Sequence, residues 1–130
     1  MIVLLTGCQQ KNGSSLLKIE EGSAPTAVRN FISEISSQNG VNLYSDGVHG
    51  DYLFLNAENF VYGQKPSYFT DVKCELVEET LFIYIAENPT EDNSKRESTR
   101  LIYKIDSSVE YDRIRLFKNG LETNFDTVGA

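Results

Sequence analysis

The sequence predicts an α+β domain in which one N-terminal helix packs on a curved, mainly antiparallel sheet of about six or seven strands. Two patterns support this prediction. Apolar residues recur with helical spacing in the segment 23–39, and after Gly40 they alternate with the two-residue period of strands. The chain has 130 residues, of which 40% are hydrophobic, so it can form a single domain with its own core.

The predicted helix covers residues 23–39. Its apolar stripe at positions i, i+3, i+4 and i+7 consists of Val28, Phe31, Ile32 and Ile35. Ser23 is placed to cap the first turn, and Gly40 can end the helix in a left-handed conformation. We therefore expect the helix to bury one face against the sheet.

Strands are predicted at 41–44, 51–56, in two runs within 71–86, and at 99–105. The segment 51–56 is apolar on both faces, which is typical of a central strand. Within 71–86, alternating apolar residues on both sides of a turn at 78–80 predict an antiparallel hairpin. Irregular structure is expected at 57–67, and a long charged loop at 87–98.

The last hairpin is predicted from the dipeptide Asn119-Gly120, the preferred pair for a type I′ turn. A two-residue loop there sets Leu116 opposite Thr123 and Ile114 opposite Phe125 on one face. The other face is expected to be solvated, and it carries Arg113, Arg115, Glu122 and Asn124.

The net charge of −7 argues against nucleic-acid binding, because an acidic surface repels phosphate backbones. The same charge disfavours docking on anionic lipids. Any attachment to a membrane is therefore expected to be covalent.

The N-terminus predicts such an attachment. A short apolar run leads into Leu5-Thr6-Gly7-Cys8, an order that suits a lipoprotein signal peptidase cutting before an acylated cysteine. We interpret residues 1–7 as a truncated signal remnant, 8–20 as a polar tether anchored through Cys8, and 21–130 as the domain. The segment 16–20 fits either a short strand or the end of the tether. No basic residue precedes Cys8, so the alternative is a cytoplasmic protein with an apolar N-terminus.

The second cysteine, Cys74, is predicted to be a small buried apolar side chain, because it lies between Val72 and Leu76 at strand spacing. A disulfide between the two cysteines is the alternative. Acylation of Cys8 excludes that bond and leaves Cys74 as a thiol.

No catalytic or metal-binding residues are predicted. His49 is the only histidine, and no serine or cysteine near it has a nucleophile context. The acidic loop 87–97 lacks the alternating ligands and the turn glycine of a calcium loop. The sequence therefore predicts neither an enzyme, a cofactor nor a metal site.

A partner-binding surface is predicted around the irregular segment 57–67, where tyrosines are dense. Tyrosine is enriched at interfaces, although strand propensity also collects tyrosines into cores. The candidates outside regular strands are Tyr62, Lys65 and Tyr68, which flank Pro66.

The motif Leu5-Thr6-Gly7-Cys8 and the polar spacer behind it resemble the small lipoproteins of Gram-positive bacteria. This resemblance implies a diacylated Cys8 and a location on the outer face of the cell membrane. The strand order between Asp51 and Lys118 is also similar to that of the small β-domains of protease-complex-subunit lipoproteins. It departs at residues 63–68, where such domains carry a Gly-Tyr pair, and we transfer no function from it.

The function expected from the sequence is that of a membrane-anchored, extracytoplasmic, non-enzymatic interaction module for a protein or peptide partner. One alternative is a carrier of a small apolar ligand, held in a pocket between the sheet and the helix. The second alternative is a cytoplasmic domain whose lipobox is fortuitous.

Overall fold

The computed structural model describes residues 14–59, 62–90, 98–107 and 110–130. Strands account for 55% of it and helical segments for 13%, so the fold is mainly β. The first sheet has the order β1 (Ser14–Ile19), β6 (Arg100–Ser107), β3 (Asp51–Asn56), β2 (Gly40–Ser45) and β9 (Thr127–Gly129). The second sheet has the order β4 (Ser67–Val77), β5 (Thr80–Pro89), β7 (Arg113–Lys118) and β8 (Leu121–Thr123). A 3₁₀ helix, Glu21–Ser23, precedes the α-helix α1, Thr26–Ile35.

The predicted fold class is wrong in two respects. The strands form two sheets rather than one, and the helix is not N-terminal, because β1 precedes it. Of the two interpretations left open for 16–20, the strand is the observed one, since β1 pairs with β6 from Ser14 to Ile19. The remainder of the predicted tether, residues 8–13, and the signal remnant 1–7 lie outside the described residues.

The main core lies between the two sheets. The side chains of Leu53, Leu55, Leu81 and Ile83 are 0% exposed there. Burying each such side chain contributes about 1.5–3 kcal/mol, so this interface is the largest source of stability in the fold. It holds the sheets face to face in two layers.

A third layer is formed by α1 on the outer face of the first sheet. Val28, Phe31 and Ile32, from the predicted stripe, are buried in it. They pack against side chains that alternate with the main core along β2, β3 and β6, namely Tyr44, Tyr52, Phe54 and Ile102. The predicted apolar stripe is therefore confirmed as a core-packing face.

The apolar pattern of β6 fits its position inside the first sheet. Leu101 and Ile105 face the inter-sheet core, whereas Ile102 faces α1. A strand that is apolar on both faces belongs inside a covered sheet, and β6 accordingly lies between β1 and β3. This position takes β6 away from its sequence neighbour β5, which pairs in parallel with β7 instead.

The helix α1 is shorter than predicted at both ends. Pro25 is its N-cap residue, and no side chain, including that of Ser23, caps it. At the other end, the buried Asn56 donates hydrogen bonds to the carbonyls of Ser36 and Gln38, at 3.0 and 2.9 Å. A side-chain amide from β3 therefore satisfies the carbonyls that Gly40 was expected to cap.

Other predicted elements are confirmed. Strand β3 is central in its sheet, and β4 and β5 form the expected antiparallel hairpin. Asn119 and Gly120 have φ values of 54° and 83°, as the turn requires, and Leu116 lies opposite Thr123. The pairing of Ile114 with Phe125 is wrong, because β8 ends at Thr123.

Cys74 is 2% exposed, which confirms its predicted burial. The prediction of a thiol is wrong, since Cys74 is disulfide-bonded. The other cysteine in the sequence, Cys8, lies outside the described residues. In the part of the chain that is described, no helix has the length and apolarity to cross a bilayer.

Candidate interaction surface

The outer face of the second sheet carries a cluster of aromatic side chains. Phe82 and Tyr84 alternate with buried residues along β5, and Phe117 follows the buried Leu116 on β7. The parallel pairing of these strands sets Phe82 opposite Arg115 and Tyr84 opposite Phe117. We call Phe82, Tyr84, Phe117 and Arg115 the aromatic face.

The three rings of the aromatic face are nearly parallel. Their centroids are 5.5 Å apart for Tyr84 and Phe117, 6.0 Å for Phe82 and Phe117, and 6.4 Å for Phe82 and Tyr84. Offset-stacked pairs at such distances contribute about 0.5–1.5 kcal/mol each beyond burial. All three side chains are partly exposed, so solvent reaches a continuous aromatic surface.

A fixed positive charge lies among the rings. The guanidinium carbon of Arg115 is 5.3 Å from the ring centroid of Phe82 and 5.5 Å from that of Phe117. Glu122 holds this group through two hydrogen bonds of 2.9 and 2.6 Å. These bonds raise the pKa of Arg115 and lower the pKa of Glu122. The guanidinium is thus held in a fixed orientation over the rings.

The rim of the aromatic face is polar and carries both signs of charge. The Tyr84 hydroxyl donates to Glu75 at 3.5 Å, and Lys73 lies opposite Tyr84 on β4. Burial, followed by the nearby Glu75 carboxylate, raises the pKa of Tyr84. An aromatic centre with an arginine and a polar rim is the usual composition of a protein interface.

Of the three residues predicted for partner binding, only Tyr68 is placed on the same sheet face as the aromatic face by strand pairing. Tyr62 and Lys65 are in the loop that leads into β4, where Tyr62 is 94% exposed. Tyr68 pairs with Asn88, and strand alternation along β5 places Asn88 on the same side of the sheet as Tyr84. Tyr68 therefore lies on the outer face of the second sheet, as the aromatic face does. Its partner Asn88 is four residues beyond Tyr84 along β5.

His49 lies at the opposite end of the first sheet from the helix C-terminus, in a tight loop. Its Nδ1 is 2.6 Å from Oδ2 of Asp46, which also accepts the Tyr44 hydroxyl at 2.8 Å. The side-chain hydrogen bond from His49 is the main reason why the pKa of Asp46 is far below its usual range. The neighbouring Ser45 hydroxyl donates to Asp51 rather than to His49. The arrangement orders the loop and gives His49 no nucleophile to activate.

No group of three or more His, Cys, Asp or Glu side chains in the described ranges is positioned to hold a metal ion. The space between α1 and the first sheet, where the alternative of a small-ligand carrier requires a pocket, is filled by Ile32, Tyr52 and Phe54. A groove of about 430 Å³ lies instead at the rim of this interface, between α1 and β9.

Known proteins offer no match. No family model, curated protein or solved structure that was compared matches this chain. The interpretation of the surface therefore depends on its own residues.

Sequence reasoning missed the aromatic face because it used the alternation of 71–86 and 113–118 only to find the buried side. The missed signal is that Phe82, Tyr84 and Phe117 occupy positions which the pattern assigns to solvent. The other solvent-side positions, Arg115 and Glu122, are exposed as predicted, at 42% and 47% of their side chains. Aromatic residues at such positions form an accessible apolar patch, which makes this surface a candidate for interaction.

Proposed function

We propose that this protein is a membrane-anchored, extracytoplasmic lipoprotein that acts as a non-enzymatic interaction module for a protein or peptide partner. The observation that carries the proposal is the aromatic face. The equivalent outer face of the first sheet also carries aromatic side chains, and α1 covers them. Among the described residues, no element covers the aromatic face in this way. In the proposed function, a partner chain binds there and covers it.

The chemistry of the aromatic face favours a protein partner. Aromatic side chains and arginine dominate the binding energy of protein interfaces, and they act best at a centre from which a rim excludes water. Here the rings form the centre, while Lys73, Glu75 and Glu122 form the rim. The mixed charges of this rim disfavour a strongly anionic partner such as nucleic acid.

The disulfide at Cys74 supports an extracytoplasmic location, because such bonds persist in oxidising compartments. It also competes with the proposed anchor, because the only other cysteine in the sequence is Cys8. A Cys8 sulfur held in a diacylglyceryl thioether cannot form a disulfide with Cys74. Mass spectrometry of the protein extracted from membranes distinguishes an acylated Cys8 from a disulfide-bonded Cys8. We expect an acylated N-terminal Cys8 and a Cys74 thiol in the membrane-bound protein, whereas a disulfide-linked Cys8–Cys74 peptide in a non-reduced digest contradicts the anchor.

Site-specific photocrosslinking tests the interaction surface. A benzoylphenylalanine at Ala86, beside Tyr84 on the outer side of β5, is expected to form a discrete crosslinked product in intact cells. The matched control carries the same residue at Ser33, which is exposed on α1, and should give none. Crosslinking from Ser33 but not from Ala86 would place the partner on the other side of the molecule.

Paired variants separate the two parts of the surface. Phe82→Ser combined with Phe117→Ser removes two rings of the aromatic face and should abolish the Ala86 crosslink. Tyr62→Ala combined with Tyr68→Ala tests the residues predicted from the sequence, and we expect a partial loss. If both double variants fold and keep the full crosslink, the proposed surface is wrong.

The alternative of a small-ligand carrier is favoured by one observation, the groove between α1 and β9. Its volume of about 430 Å³ falls in the range of small-molecule sites, roughly 300–1,000 Å³. A ligand copurifying with the protein and absent from variants of the groove would favour this function. The same mass measurement tests the alternative of a cytoplasmic protein. An N-terminus that still carries residues 1–7 and an unmodified Cys8 would support that alternative.

A further inference from the structure

The two sheets end differently on the two sides of the molecule. On one side, the edge strand β1 of the first sheet lies against the edge strand β4 of the second. The strand orders therefore place the other two edge strands, β9 and β8, together on the opposite side. Only residues 124–126 join β8 to β9, which keeps the two strands close. We call this side of the molecule the β8–β9 edge.

Apolar side chains are exposed at the β8–β9 edge although they point toward the core. Val128 pairs with Leu43, which belongs to the inter-sheet core, so both side chains point inward. Leu121 is two residues from Thr123, the partner of the core residue Leu116, so Leu121 points inward as well. Nevertheless, Val128 is 64% exposed and Leu121 is 74% exposed. Among the described strands, none covers them on this side.

The strand β9 lacks the features that usually protect an edge strand. Native edge strands carry charges, prolines or bulges, which prevent pairing with another chain. Accordingly, β4 has a bulge after Thr70, and β1 and β8 each contain a charged residue. In contrast, β9 contains no charge, no proline and no bulge. It pairs with β2, and no other strand of the described chain occupies its second edge.

A shallow groove borders β9 on the outer side of the first sheet. It has a volume of about 430 Å³ and lies between β9 and α1, where Ala27, Asn30 and Ile35 line it. Successive side chains of an extended segment point to opposite faces of a sheet. An extended segment beside β9 would therefore direct alternate side chains into the groove and against Val128 and Leu121.

We propose that β9 binds an extended peptide segment of a partner protein as a sixth strand of the first sheet. Backbone hydrogen bonds to the second edge of β9 hold the segment, and its apolar side chains at alternate positions cover Val128 and Leu121. An extended segment is the occupant because it supplies both a row of backbone donors and acceptors and alternating side chains. This site lies on the first sheet and the aromatic face on the second, so it stands whether or not that face binds a partner.

A titration with synthetic peptides tests the proposal. The probe is acetyl-Lys-Thr-Val-Thr-Val-Thr-Lys-amide, in which apolar and polar residues alternate. One control peptide has proline in place of the central threonine, and the other has the same residues in the order Lys-Val-Val-Thr-Thr-Thr-Lys. Amide chemical shifts of the folded protein are followed by NMR. With the probe, we expect saturable shifts confined to Leu121, residues 127–130 and the part of α1 that lines the groove.

The two control peptides separate the contributions to binding. The proline peptide lacks one backbone donor and cannot continue a regular strand, so it should bind about tenfold more weakly than the probe. The reordered peptide can point only one valine toward the core side, and it should also bind more weakly. Binding of either control with the affinity of the probe overturns the proposal.

Protein variants test the place of binding. Val128→Lys puts a charge on β9 and should abolish saturable binding of the probe. The matched control Val77→Lys changes a valine that is 45% exposed at the end of the edge strand β4, and it should bind like the wild type. Circular dichroism checks that both variants fold. Wild-type affinity in Val128→Lys, or no saturable binding to the wild type, overturns the proposal.

Two further outcomes assign binding elsewhere. Shifts confined to Phe82, Tyr84 and Phe117 overturn a site at β9 and leave the proposed function of the aromatic face standing. Analytical ultracentrifugation without peptide tests a second copy of this chain as the occupant. A dimer of the wild type that Val128→Lys converts to a monomer would show that β9 pairs with a second copy, and it overturns the proposal of a partner protein.

Discussion

The two sheets differ in what covers their outer faces. On the first sheet, Tyr44, Tyr52 and Phe54 are at most 4% exposed beneath α1. On the second sheet, Phe82, Tyr84 and Phe117 remain partly exposed, and Arg115 lies over Phe82 and Phe117. Similar residues therefore serve stability on one side of the molecule and remain accessible on the other. This difference is the reason for assigning recognition to the second sheet.

The largest effect is expected for a ring on the covered side. Phe54→Ala should lower the free energy of unfolding by about 3–5 kcal/mol, because it leaves a cavity beneath α1 and removes the ring on which Arg100 lies. Urea unfolding followed by circular dichroism, with the disulfide intact, measures the loss. A cost below 1 kcal/mol would contradict the description of this face as core.

The attachment of α1 can be weakened without touching a ring. Asn56→Ala should cost about 2 kcal/mol, because it removes the two hydrogen bonds that this fully buried amide donates to the carbonyls of Ser36 and Gln38, although Ser36 keeps the Asn59 amide as a second donor. The matched control is Asn124→Ala, an exposed asparagine after β8, for which we expect less than about 0.5 kcal/mol. Equal losses in the two variants would show that the amide does not hold the helix.

Much of this covered side could be predicted from the sequence, because it depends on local patterns. The stripe of α1, the central position of β3 and the turn at Asn119-Gly120 each follow from residues close together in the chain. The sheet division could not be predicted, because it depends on β5 pairing with β7 rather than β6, and several strand orders satisfy the same alternation. The cap from Asn56 to Ser36 likewise joins residues 20 apart, and no sequence motif marks it.

The candidate site was predicted only at its edge. Tyr68 lies on the correct side of the second sheet, but tyrosine density along the chain pointed to 44–69 rather than to Phe82, Tyr84 and Phe117. Tyr44 and Tyr52 from that dense region are buried beneath α1. Composition alone cannot separate covered from accessible aromatic residues, since the distinction depends on which face the helix occupies.

A third prediction concerns the contact between the sheets. Tyr111, in the segment that leads into β7, donates its hydroxyl proton to Asp51 of the first sheet. Tyr111→Phe should cost about 1.5 kcal/mol at neutral pH, the low end for a hydrogen bond to a charged group. Thermal unfolding of the two proteins measures this difference.

The same residue predicts a loss of stability at alkaline pH. Burial, followed by the Asp51 carboxylate, raises the pKa of Tyr111 well above 10.0. The unfolded chain therefore releases this proton before the folded protein does, and stability falls as the pH rises above about 10. Tyr111→Phe should reduce this slope, whereas Tyr62→Phe, at a 94% exposed position, should leave it as in the wild type. An unchanged slope in Tyr111→Phe would assign the alkaline loss to other groups.

The smallest stability effect is expected on the open side. Phe82→Ala should cost about 1 kcal/mol, because it removes two stacked contacts but leaves no buried cavity. Unfolding measured beside Phe54→Ala completes the comparison. If Phe82→Ala lowers the free energy of unfolding as much as Phe54→Ala does, the aromatic face is part of the core. That result would contradict its proposed role as a binding surface.

The order of strands in the first sheet has a consequence for folding. In this sheet, the neighbouring strands β1 and β6 pair residues 14–19 with residues 102–107. The edge strand β9 pairs with β2 across about 85 residues of chain. Such pairings are slow to form, because a long loop must close before any contact stabilises it. The β4–β5 hairpin, in contrast, can form from its own local segment. The emerging chain can form the β2–β3 and β4–β5 hairpins early, but its first sheet is expected to be complete only after residues 127–129 have been synthesised.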